Sequence, residues 1–90
     1  LSIYSAIPQD TDILITHEPP YQVMDYYNGC NYGSGVLKDQ VLMRIKPKLH
    51  VFGHIHKQYG KERHAETIFV NAGLVDGNHN VIHKPIVIHL

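Results

Sequence analysis

Residues 47–60 read PKLHVFGHIHKQYG, and residues 11–17 read TDILITH. Both contain a short apolar run that is followed closely by histidine. The run over 49–52 predicts a strand ended by Gly53, with His54 and His56 just beyond it. The run over 12–16 is continuously apolar and predicts a strand buried on both faces, the kind found inside parallel or mixed sheets. His17 stands just past its end, and Pro19-Pro20 prevent further strand or helix. Open α/β sheets place ligands at the C-terminal ends of their strands. If the two strands are neighbours, His17, His54 and His56 converge on one rim. Side chains two apart in extended chain point the same way, so His54 and His56 face a common centre. Gly53 allows a tight backbone turn beside that centre. Neutral imidazole suits Zn, Fe, Mn or Ni, whereas hard metals need added carboxylates. On spacing alone, each of these residues also fits a turn histidine bonded to backbone.

Between the two runs, 21–35 reads as a loop of about 15 residues, longer than usual and therefore a candidate for function. It carries Tyr21, Tyr26, Tyr27 and Tyr32, which either pack the loop or stack on a base. Ser34 is placed to cap a helix over 36–46, where Leu37, Val41, Leu42 and Ile45 form one apolar stripe. Lys46 suits the helix C-terminus and Pro47 ends it. Residues 8–11 form a turn-like break. Downstream, 57–65 reads as a polar turn region around Gly60, 67–70 as a strand, 76–80 as a turn, and 81–90 as an edge or bulged strand because of Pro85. The order β-loop-α-β-β-β predicts an α/β fold in which one main helix crosses over between two parallel strands. His50 sits inside a strand and reads as a structural histidine. His64, His79, His83 and His89 have no converging partners. Asn71 follows a strand and either orients the 53–56 loop through a supporting bond or is purely structural.

Composition bounds the function. The chain has 90 residues, 8 Lys+Arg against 8 Asp+Glu, and no net charge. That balance argues against a nucleic-acid polymer as partner. With 43% hydrophobic and 18% charged residues, the chain is not an acidic disordered tail. One small domain is the upper limit, and a chain this size buries only about 60% of its unfolded surface. The single cysteine, Cys30, excludes an internal disulfide and points weakly to a reducing, cytoplasmic compartment. No run approaches the roughly 18 apolar residues of a membrane span. Position 1 is Leu, so the expectation is a processed chain or one that begins within a longer protein.

The motifs together resemble the calcineurin-like metallophosphoesterases. TDILITH at 11–17, GSGVL at 33–37 and KPKLHVFGHIH at 46–56 resemble, in order, segments of the metallophosphoesterase-domain-containing branch. FVNAG at 69–73 and KPIVIHL at 84–90 extend the likeness. The resemblance implies the C-terminal half of a two-sheet α/β sandwich, residues 1–90 forming a partial metallophosphoesterase domain. It implies that His17 and His54 are ligands of one metal and His56 of a second. It also implies two divalent ions about 3.5–4 Å apart, activating water against a phosphate ester. The substrate would be a phosphodiester, with nucleotides among the candidates.

The family's earlier motifs, Asp-x-His, Gly-Asp-x-x-Asp and Gly-Asn-His-Glu, are absent. They supply the bridging carboxylate and the general-acid histidine, so no catalytic acid is expected within this chain. The missing N-terminal half is then required for a complete site, and without it the sheet should expose apolar surface. DGNHN at 76–80 comes after GHIH and lacks Glu after its His, so it does not replace the last motif. Glu18 stands where this branch commonly has Gly. The competing reading is a catalytically inactive fragment serving as a metal-binding or interaction module. A metallo-β-lactamase-like site is excluded because Gln58 and Tyr59 stand where Asp and His are required. A zinc finger is excluded by the single cysteine.

Overall fold

A computed structural model describes residues 3–53 and 58–73 of the chain. His54 and His56, and the turn and strand expected over 76–90, lie outside the described residues.

The apolar run after Asp12 forms strand β1, Ile13–Ile15. It pairs in parallel with β4, Leu49–Phe52, setting Ile13 opposite Leu49, Leu14 opposite His50 and Ile15 opposite Val51. The chain between them crosses over through α1, Gly35–Asp39, which continues as a π-helical turn, Gln40–Ile45. The predicted α/β arrangement with a parallel pair and one crossover helix is thus observed. Ser34 caps α1, its Oγ accepting from the Leu37 N–H at 3.1 Å. The predicted stripe is buried: Leu37, Val41 and Ile45 face inward at strict four-residue intervals, and Leu42 is half-buried. The helix widens where ordinary α-helix was expected. Lys46, in the left-handed region at φ +48°, donates its N–H to the Val41 carbonyl at 2.9 Å, an i→i−5 bond. A π turn of this kind is a local insertion into α-helix.

The third strand appears as β6, Thr67–Asn71, parallel to β4. The polar region around Gly60 is a correction. It contains strand β5, Gly60–His64, antiparallel to β6 across a tight turn at Ala65, whose φ is +54°. The sheet order is β1-β4-β6-β5. β5 is exposed along nearly its whole length and lacks alternating burial, so periodicity carries no signal for it. Its Lys61, Glu62 and Arg63 are the charged residues with which sheet edges resist further pairing.

The loop over 21–35 also holds regular structure. Strands β2, Tyr26–Tyr27, and β3, Cys30–Asn31, form a two-stranded hairpin. Its turn is Asn28-Gly29, with φ +50° and +87°. Two consecutive left-handed residues are what a type I′ hairpin turn requires, and Asn-Gly is its strongest sequence signal.

Leu14, Val23, Met24, Leu37, Val41, Phe52 and Phe69 pack into the core between one face of the sheet and the helix and loop. On the other face, the burial expected of β1 gives way to the apolar exposure expected of the sheet. Leu14 is buried, but Ile13 and Ile15 are 49% and 74% exposed. β1 is therefore buried on one face among the described residues, because the helix and loop both pack on the Leu14 side.

Candidate metal centre

β1, β4 and β6 run parallel, so all three end on one rim. The β1–β4 pairing continues past the strands. The Thr16 N–H donates to the Val51 carbonyl at 3.0 Å, and the Gly53 N–H donates to the His17 carbonyl at 3.2 Å. His17 is exposed on the rim and paired with Gly53, the residue immediately before His54. The condition set by the sequence, that the two strands be neighbours, is thus met, and the pairing runs as far as His17 and Gly53. Nothing among the described residues lies within 4 Å of where a Cβ on Gly53 would stand, and Gly53 does not adopt a left-handed φ. Among the described residues, no three His, Cys, Asp or Glu side chains group as a metal site.

The turn that carries His17 is held from inside. Thr16 Oγ1 donates to the Glu18 carbonyl at 2.7 Å and lies 2.9 Å from His50 Nε2. His50 is fully buried, edge-on to Phe52 and Phe69. Burial pushes its pKa down to about 4, so the ring is neutral near neutral pH. Its Nδ1 has no hydrogen-bond partner among the described residues. The structural role predicted for His50 is observed, with one ring nitrogen left unsatisfied. On the outer side of the turn, the Tyr4 hydroxyl donates to the Glu18 carboxylate. That bond, with burial and the carboxylate charge adding to it, pushes the Tyr4 hydroxyl up to about 12. Glu18 therefore ties the short 3-10 turn Ile3–Ala6 to the rim.

A second loop shares this rim. Asp25 is 1% exposed, and its carboxylate accepts three bonds at 2.8 Å, from the Gln22 and Gly33 N–H groups and from Asn31 Nδ2. Gly33 passes so close that a Cβ there would lie 2.3 Å from the Pro20 carbonyl oxygen. Asn71, fully buried at the end of β6, donates from Nδ2 to the Met24 carbonyl at 3.3 Å and accepts from the Gly73 N–H at 3.0 Å. These bonds anchor the base of the β2–β3 hairpin to the sheet. The hairpin carries Tyr26 and Tyr27 outward, 53% and 43% exposed. With Asn28 and Gln58 they line an open cleft of about 260 Å³. Gln58 is two residues beyond His56 in sequence. Sequence reading missed Asp25 and the hairpin; Asn28-Gly29 was the available signal.

The calcineurin-like phosphoesterase family model matches residues 3–58. Human and mouse metallophosphoesterase domain-containing protein 1 are each 40% identical over 92 residues, covering all of this chain and 28% of their own length. A UPF0046 protein of Caenorhabditis elegans is 37% identical over 89 residues, covering 93% of this chain and 32% of its own length. The chain thus spans about a third of these curated relatives, and the matched region contains both histidine-bearing strand ends and the helix between them. The family generally uses divalent metal ions. On the extent of that match, the chain belongs to the calcineurin-like phosphoesterase family.

Proposed function

We propose that this chain supplies the last metal-binding segments of a phosphodiesterase, with His17, His54 and His56 as metal ligands. The observation that carries the reading is the bond between the Gly53 N–H and the His17 carbonyl, which sets His17 beside the segment leading to His54. An exposed imidazole at a strand end is a donor that Mn, Fe, Zn or Ni accepts, so the described part of the site fits a divalent ion. Two such ions, when bound, supply Lewis-acid charge for the phosphoryl oxygens and lower the pKa of water. The residues of this chain hold and orient; the proton donor and the carboxylate ligands come from the remainder of the protein. The isolated 90 residues are accordingly inactive.

The tyrosine cleft supports a substrate whose phosphate carries a planar ring, such as a nucleotide or an aryl ester. Aromatic faces bind such rings with little conformational cost when the loop is already ordered, as Asp25 orders this one. The exposed, unpaired thiol of Cys30 is consistent with a reducing compartment such as the cytoplasm. No described helix is long and apolar enough to cross a membrane.

The test is hydrolysis of an aryl phosphodiester by the complete protein with added Mn²⁺. Activity that needs the metal and disappears in His54→Ala upholds the reading; metal-independent activity, or none at all, refutes it. Exposed Ile13 and Ile15 favour a second reading, an interaction module that pairs through this face. That reading gains if the complete protein binds neither metal nor phosphate esters.

A further inference from the structure

Hydrogen-bond balance at the buried end of β1 assigns a role to His50. Thr16 Oγ1 has one proton and two neighbours, the Glu18 carbonyl at 2.7 Å and His50 Nε2 at 2.9 Å. A carbonyl oxygen can only accept, so the Thr16 proton goes to Glu18. His50 must then donate, which places its proton on Nε2 and leaves Nδ1 as a bare acceptor. Nδ1 is buried and has no partner among the described residues. The opposite tautomer would bury an unpaired N–H and set two lone pairs against each other at Nε2. Both are costly away from water.

The two bonds form a directed chain from the core to the rim: His50 Nε2–H to Thr16 Oγ1, and Thr16 Oγ1–H to the Glu18 carbonyl. The chain spans His17, bonding the residue before it and the residue after it. His17 is itself exposed, and this bracket together with the two β1–β4 backbone bonds helps to fix the backbone at its Cα.

We propose that His50 is a positioning residue for His17, acting as the Nε2–H tautomer through Thr16 to preset the turn from which His17 reaches a metal ion. The proposal rests on the reading of His17 as a ligand. Groups that orient metal ligands typically contribute 10–100-fold to metal affinity. The Phe52 and Phe69 edges around the ring make an aromatic replacement tolerable in shape, so packing and donation can be separated.

The experiment uses the complete protein and three measurements. Nitrogen-15 NMR of the wild type reads the tautomer directly; the expected state is neutral with the proton on Nε2, and a proton on Nδ1 overturns the proposal. Calorimetric titration with Co²⁺ then compares His50→Phe, which keeps a ring and removes the donor, with His50→Gln, which keeps a donor at similar reach. His50→Phe is expected to weaken Co²⁺ binding about tenfold or more, and His50→Gln to restore most of it. Equal affinities for wild type and His50→Phe overturn the proposal, as do equal losses in both variants. If His50→Phe fails to fold, Thr16→Val breaks the same chain while leaving His50 in place, and the same loss is expected. Unchanged Co²⁺ binding in Thr16→Val overturns the proposal. His17→Ala separates the two layers: if it leaves Co²⁺ affinity intact, the ligand reading of His17 fails, and the positioning role fails with it, whereas a loss in His17→Ala without one in His50→Phe or Thr16→Val removes only the positioning role.

Discussion

Two loops stand on the C-terminal rim of the sheet, and each is organised around one buried polar side chain. Asp25 holds the hairpin loop, and its carboxylate meets three donors. His50 holds the His17 turn through a single hydroxyl and keeps one nitrogen unpaired. A carboxylate can be buried when several donors replace its water shell; an imidazole can be buried cheaply only by staying neutral. The difference teaches that the hairpin is fastened by three donors on one carboxylate, whereas the His17 turn is fastened from the core by one neutral imidazole through one hydroxyl.

The largest effect expected separates ligand from support. In the complete protein, His56→Ala should abolish phosphoesterase activity, while His50→Phe should retain a measurable fraction of it. Equal losses in folded variants would erase the distinction between the two histidines. Next comes the hairpin. Asp25→Ala leaves three donors without an acceptor, two of them backbone N–H groups. It should lower stability by ~3 kcal/mol in urea unfolding. A loss no larger than that of an ordinary surface substitution would mean that water replaces the carboxylate freely.

The acid response sharpens the comparison from the other side. The His50 ring has its folded pKa lowered by burial to about 4, against an unfolded value of 6.5. Between these values the unfolded chain binds more protons, so stability falls as pH drops from 6.5 towards 4 and is fully present above 6.5. The loss attributable to His50 should reach up to roughly 3 kcal/mol, and His50→Phe should flatten that window. An unchanged pH slope in the variant would place the titration elsewhere. The smallest effect belongs to the hairpin turn. Gly29 has φ +87° and open space where a Cβ would stand. Gly29→Ala should therefore cost only ~1 kcal/mol, the conformational term alone. A much larger loss in thermal unfolding would mean that the turn packs against something beyond the described residues.

Much of the frame was legible because its signals are local. The apolar run before His17, the run before Gly53, the four-residue stripe from Leu37 to Ile45 and the Ser34 cap all act over a few residues. So does Pro47, which bars further helix. His17 at the end of β1 was legible for the same reason, whereas the sequence left the neighbouring of β1 and β4 as a condition that the parallel pairing then met. β5 was not legible. Its residues are polar and exposed, and it is a strand only because β6 turns back along it. The π turn was not legible either, since the α and π patterns share their four-residue contacts. The hairpin could have been found from Asn28-Gly29, but Asp25, which fastens it, collects donors from both sides of the turn.

Local chemistry thus marked the apolar strands β1, β4 and β6, the helix cap and the place of His17 at a strand end. Only the folded chain decided which face of β1 is covered, that a polar segment becomes an edge strand, and which nitrogen of His50 carries its proton. The reason is physical. Backbone propensity, capping and proline are properties of neighbouring residues, whereas pairing, burial and tautomer depend on groups brought close from far along the chain. Thr16 and His50 are 34 residues apart in sequence and 2.9 Å apart in space.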